Sequence, residues 1–169
     1  RVVVLLSGHY AQGHELVMID AAEHAISEHN LLALAVPPLA LVDEEMLDHA
    51  AHWETAQLMA IRPKLVALDE LGAAPLNPAT SAVLGEDPRR ATQSQGEAAL
   101  ALATDRIANS VLALLNHDKP DVLRELYSRR RAGYQHYVER YFRGSWEEAI
   151  MTWWHERTSI SASRNDKRR

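Results

Sequence analysis

Two short stretches of the chain are apolar without interruption. Arg1-Val2-Val3-Val4-Leu5-Leu6-Ser7 opens the sequence, and Leu31-Leu32-Ala33-Leu34-Ala35-Val36 is the second. Unbroken runs of this length are the pattern of strands buried on both faces of a parallel sheet. Between them, residues 15–29 place Leu16, Ile19, Ala22 and Ile26 on one helical stripe. Strand, helix and strand in that order predict a βαβ unit with a right-handed crossover. Ligands of open α/β sheets gather beyond the carboxyl ends of the strands, and His9 stands there, in the glycine-punctuated turn 7–14.

Beyond the second strand the pattern turns helical. Pro37-Pro38 stops the strand, and residues 39–48 form a connector of no predicted conformation. A helix is expected over 53–61, ended by Pro63, followed by a long surface loop over 72–90 rich in Ala, Pro, Gly and Asn. The longest periodic stretch is 92–115, with Ala99, Leu102, Ile107, Val111 and Leu114 spaced for one buried face. Two more helices are predicted over 122–140 and 145–156, carrying Tyr127, Tyr134, Tyr137, Tyr141, Phe142, Trp146, Trp153 and Trp154. That density of amphipathic aromatics reads either as packing within the extension or as a surface resting on something larger. The expected organisation is an α/β domain over 1–116, a helical extension over 117–158 and a disordered tail over 159–169. Two strands do not make an independently stable sheet, so part of the fold is expected to lie outside this chain, cut off or supplied by another polypeptide.

Composition narrows the class. At 169 residues, 47% hydrophobic and 24% charged, the chain is the size of one globular domain. A formal net charge of −5 gives no electrostatic reason to expect a nucleic-acid partner; the basic residues cluster only at Arg129-Arg130-Arg131 and in the tail. No apolar run approaches the roughly 20 residues that span a bilayer, and the opening lacks the layout of a signal peptide. The protein is therefore read as cytoplasmic, without a membrane partner. With no cysteine there is no thiolate site, and any metal must take nitrogen and oxygen ligands.

The chemistry concentrates in His49-Ala50-Ala51-His52-Trp53-Glu54, two imidazoles and a carboxylate ahead of a helix. On an ideal helix His49 and His52 share a face while Glu54 points elsewhere. For His49 and Glu54 to meet on one ligand, His49 must lie in the loop before the helix. The alternative is a solvated helix entry whose carboxylate favours the positive end of the dipole. Of the nine histidines, His9 and His49 are the functional candidates, and His14 is assigned to capping or solvent. The sequence contains no Gly-x-Ser-x-Gly elbow, Walker loop or Gly-x-Gly-x-x-Gly. What remains is histidine and carboxylate chemistry, which at a strand-end cleft points to a metal activating water.

Three stretches in order resemble the creatininase family of metal-dependent hydrolases. Ser7-Gly8-His9-Tyr10-Ala11-Gln12 resembles that family's Asn-Gly-His loop. The segment from His49 to Met59, running on to Arg62-Pro63-Lys64-Leu65-Val66, resembles its His-(Ala/Gly)-Gly-x-x-Glu-Thr-Ser-Leu-Met motif and the Arg-Pro-x-Leu-Val sequel. Ala91 to Glu97 is similar to its late Ala-x-x-x-Lys-Gly-Glu motif. The resemblance implies a three-layer α/β/α fold with a mainly parallel sheet, assembled as a hexamer around zinc, manganese or iron and hydrolysing small cyclic amides. It implies His9 and Glu54 as metal ligands and His49 with Glu54 as catalytic groups. Tyr10, His52 and Trp53 would then contact a small-molecule substrate. The chain departs from the pattern at Ala11, where creatininase carries a metal-binding glutamate, and at Ser7 and Ala51-His52. The family's Glu-x-His and Asp ligands have no counterpart here, so a companion fragment is expected to supply them. Hydrolytic carbon–carbon opening of a cyclic polyol ketone such as 3-dehydro-scyllo-inosose, and a non-catalytic assembly subunit, are the competing readings.

Overall fold

The computed structural model describes residues 1–117, 120–141, 144–145, 148–149, 151–153 and 156. Strand β1 (Val2–Leu6) and strand β2 (Leu32–Val36) pair in parallel, Val2 beside Leu32 and Leu6 beside Val36. Helix α1 (Gln12–His29) connects them and buries Ile19, Ala22 and Ile26 against β2. It ends at Asn30, which takes the left-handed conformation at φ 49° that a short amide side chain tolerates. All five residues of β2 are buried, whereas Val3 and Leu6 of β1 are exposed.

From Pro38 onward the described chain is helical or irregular. A 3₁₀ turn (Pro38–Leu41) follows β2, then α2 (His52–Ile61), the single turn α3 (Pro78–Ser81), α4 (Gln93–His117) and α5 (Pro120–Tyr141). Helix α4 starts in a capping box: Gln95 Oε1 accepts from the Thr92 amide at 2.9 Å while Thr92 Oγ1 accepts from the Gln95 amide at 3.3 Å. One turn later Gly96 lets the α4 backbone lie against α2, since a Cβ there would run into the Ala56 carbonyl. The outer face of α4 leaves Leu102, Leu112 and Leu115 exposed. Within Gln93–Asn116 an 18-residue window reaches a mean hydropathy of 1.4, enough by length and composition alone for a membrane span. Separated apolar positions, including Ala and Leu on its open face, sum to what no single uninterrupted run displays.

Helix α5 sends Leu123 and Tyr127 into the core that α1 and β2 share. The Tyr127 hydroxyl donates to the Ala33 carbonyl and accepts from the Ala35 amide at 2.9 Å. It thus meets the backbone groups on the side of β2 turned away from β1. Three residues on, the Arg130 guanidinium forks onto Glu15, Nε to Oε1 at 2.6 Å and a terminal nitrogen to Oε2 at 2.7 Å, and reaches Glu44 at 2.8 Å. Arg131 bridges Asp20 and Glu23, each at 2.6 Å. The basic run at 129–131 is therefore largely matched by acids of this same chain.

The three-layer α/β/α fold with a mainly parallel sheet is not what the described residues form. They form a mostly helical molecule whose sheet has two strands. The physical reason is local. After β2 the longest unbroken apolar runs, 98–103 and 111–115, are taken up in α4, prolines at 37, 38, 63, 75, 78 and 88 divide the segment before it, and a tyrosine occupies the edge where a third strand would pair. The predicted tail over 159–169 lies outside the described residues, as does part of the helix expected over 145–156. The loop over 72–90 is more ordered than its composition suggests: Arg89 donates to the carbonyls of Gly72 and Ala74 at 2.7 and 3.0 Å and grips Asp87. That guanidinium holds the Asp87 carboxyl below its ordinary value.

Candidate functional site

The turn after β1 is set by Ser7. Its buried hydroxyl accepts from the His9 amide at 3.1 Å and donates to the His9 carbonyl at 2.6 Å, closing a side-chain turn that fixes the His9 backbone. The His9 ring is exposed, and it lies between two others. Its centroid is 5.9 Å from that of His49, nearly edge-on at 71°, and 6.3 Å from that of His14. His49 sits in the loop ahead of α2, where its amide and carbonyl both pair with Leu84 at 2.9 and 2.8 Å.

Glu54 occupies the first turn of α2 and reaches backwards. Its Oε2 accepts from the Ala50 amide at 2.6 Å, holding Ala50 at a left-handed φ of 49°. This is the reciprocal half of a capping arrangement. The other half comes from Asp48, buried to 5% exposure, whose two oxygens accept from the Trp53 and Glu54 amides at 2.6 and 3.0 Å. The helix N-cap residue is Ala51, which has no side chain to do this, so the carboxylate three residues upstream does it instead. Gly85 makes the approach possible: a Cβ there would stand 2.6 Å from those of Ala51 and Asp48. Asp48 is the residue the sequence reading missed. Its only signal was an acid shortly before a helix whose own cap position is alanine.

The remaining predicted residues divide. Tyr10 and Trp53 pack together on the small cluster around Leu39, Ala99 and Ala103. The Tyr10 hydroxyl faces Gln57, whose amide donates to it at 3.3 Å and to the Trp53 carbonyl at 3.2 Å. Burial pushes the Tyr10 hydroxyl pKa up, the Gln57 hydrogen bond opposing and the Glu54 and Asp48 charges adding to the rise. His52 is buried to 5% exposure, its ring edge-on to Trp53 at 4.9 Å, with no hydrogen-bond partner at Nδ1. Burial lowers its pKa, which keeps the ring neutral.

The structure thus brings His9 and His49 together, with Glu54 anchored one residue beyond His49, and it withdraws His52 into the interior. Among the described residues no three His, Asp or Glu side chains are gathered so as to hold a cation. A surface hollow lined by Glu23, His24, Ile26, Ser27 and Arg124 shares none of these residues. In the histidine loop, by contrast, chemistry-bearing groups converge from three separate segments. Comparison with protein-family models, with curated proteins and with solved structures finds no match.

Proposed function

We propose that this chain belongs to a creatininase-like, metal-dependent hydrolase acting on a small cyclic amide. The observation that carries the reading is the 5.9 Å ring contact between His9, at the end of β1, and His49, five residues before Glu54. In support, three sequence stretches follow the family's order, and two of them, separated by a helix, a strand and a connector, meet here.

A catalytic zinc takes three protein ligands and keeps a position for water. His9 offers an imidazole, but Glu54 has one oxygen committed to the Ala50 amide. The pair His9 and Glu54 therefore does not by itself fit such a centre. In amide hydrolysis the carbonyl carbon takes hydroxyl from water, the C–N bond breaks and the nitrogen takes a proton. His49, exposed on a loop pinned to Leu84, is the group that carries that proton. Tyr10 and Trp53 form the half-buried wall against which a small ring rests.

The test is a panel of lactams, hydantoins, creatinine and cyclic polyol ketones, offered to the purified chain with zinc or manganese. Ring opening of a cyclic amide, lost in His49→Ala with an unchanged melting curve, is the expected result. Turnover confined to the polyol ketones selects the carbon–carbon reaction. No turnover of any member, by the chain alone or in its native assembly, leaves the assembly-subunit reading.

A further inference from the structure

We infer that the open edge of β1 pairs with the same edge of a second copy of this chain, antiparallel about a two-fold axis at Val4. The product is a dimer with one continuous four-stranded sheet, in which the β1 strands of the two copies lie side by side at the centre. This goes beyond the hydrolase reading and stands without it.

The register decides which backbone groups are free. Leu32, the partner of Val2, donates its amide to the Arg1 carbonyl at 3.1 Å, so in this parallel ladder the backbone groups of Arg1, Val3 and Leu5 face β2. Those of Val2, Val4 and Leu6 face the other way, where among the described residues the sheet has no further strand. Proteins that keep such an edge unpaired blunt it with lysine, proline, a bulge or a covering element. Val2–Leu6 carries no charge and no proline, and its register is regular. The opposite edge of the sheet is closed, because the Tyr127 hydroxyl occupies the Ala33 carbonyl and the Ala35 amide. With a single open edge per chain, assembly stops at two copies and does not grow into a fibre.

The edge itself identifies its occupant. Its free groups lie at 2, 4 and 6, symmetric about Val4. An antiparallel second copy therefore sets Val4 opposite Val4 and Val2 opposite Leu6, each pair exchanging N–H···O bonds in both directions. Sliding the register by two residues gives up one of these pairs. The side chains agree with the backbone. Val3 and Leu6 are 40% and 52% exposed; in this register Leu6 meets Val2 and Val3 meets Leu5, so both exposed residues gain an apolar neighbour across the joint. The strand is uncharged, so two copies approach along it without like-charge repulsion, whereas a charged segment of another polypeptide finds no counter-ion there. Five residues a side are far fewer than the roughly 20–30 of a stable complex, which makes the dimer a weak and reversible one. The two β1 strands run in opposite directions, which puts the two histidine loops at opposite ends of the joined sheet.

The experiment is analytical ultracentrifugation of the full chain over a roughly hundredfold range of concentration, with amide exchange followed at both ends of the range. The expected result is a monomer–dimer equilibrium in which the Val2, Val4 and Leu6 amides gain protection as concentration rises. The Val3 and Leu5 amides, bonded to β2 within each copy, are protected throughout. Val4→Pro removes both central donors and abolishes the dimer, and an edge strand tolerates proline where the N–H faces outward. Leu6→Lys, at an exposed position whose contact the two-fold axis repeats, weakens the dimer roughly tenfold and leaves the melting curve of the monomer unchanged. A monomer at every concentration, with those three amides exchanging freely, overturns the inference, as does a native assembly in which β1 pairs with a strand of a different polypeptide. A dimer that survives both substitutions, or that Leu112→Lys on the open face of α4 dissociates, places the joint elsewhere and overturns it too. None of these readouts uses turnover, so the hydrolase reading stands or falls separately on its substrate panel.

Discussion

Around β2, polar groups that leave water are matched inside the fold, while around the start of α2 they are left at the surface, used in turns or, at His52, left unmatched. Tyr127 serves two backbone groups of β2 with one hydroxyl, and Arg130 covers both oxygens of the buried Glu15. At the other region three imidazoles face solvent, and Asp48 and Glu54 hold a turn that contains a left-handed alanine. The first region is built to be one shape. The second has a held backbone under side chains that still have freedom, which is what a binding site requires.

The contrast predicts where substitution hurts most. Removing Arg130 by Arg130→Leu leaves the Glu15 carboxylate buried without its partner, at a cost of about 3–5 kcal/mol in a urea melt. Replacing both, Arg130→Leu with Glu15→Met, recovers most of that loss, because the desolvation of two ions offsets much of their attraction. A double variant as unstable as the single one breaks the claim that the unpaired charge is the cause. Next comes Tyr127→Phe, which keeps the ring in the core and orphans the Ala33 carbonyl and the Ala35 amide, costing about 1–3 kcal/mol. Faster amide exchange at Ala35 in that variant, with the rest of β2 unchanged, is the local signature.

These two residues also mark the limit of what the chain discloses without coordinates. The spans of α1, α2 and α4 follow from apolar spacing, capping residues and proline stops, all written within a few positions of where they act. Arg130 looks like one member of a surface basic run, and nothing near it in sequence identifies Glu15, 115 positions away, as its partner. Tyr127 looks like an aromatic of an amphipathic helix, although its hydroxyl fills the place of a neighbouring strand. The two strands read alike as apolar runs, yet one is buried and the other half exposed, since burial depends on what packs against each. Hence the expected three-layer fold was an inference about neighbours that the described chain does not contain. At the site, His9, His49 and Glu54 stood out as residue types. Whether the first-turn acid caps or coordinates was undecidable from spacing, because both roles use the same position.

A smaller effect is expected in the second region. Asp48→Ala removes both acceptors at the start of α2 and costs about 1–2 kcal/mol, the ordinary loss for a helix cap. If the turn is what holds His49 near His9, the same variant lowers turnover in the cyclic-amide panel although His49 itself is intact. Unchanged turnover in Asp48→Ala would mean that the Leu84 pairing alone positions His49.

The smallest effect sharpens the comparison most, since it concerns the one described polar side-chain atom of the second region that is buried and unmatched. Burial lowers the His52 pKa from 6.5, the Glu86 carboxylate opposing and the Arg90 guanidinium adding to it. The unfolded chain takes a proton at this ring as pH falls through 6.5, and the folded chain resists until the lowered value is reached. The stability associated with a neutral His52 is therefore complete above pH 6.5, is lost progressively as acid is added, and levels off once the folded form also protonates. Urea midpoints measured between about pH 7.5 and about pH 5 should decline for the parent and stay nearly level for His52→Gln, which cannot take the proton. Equal slopes in the two would mean that His52 is not the source of the acid sensitivity.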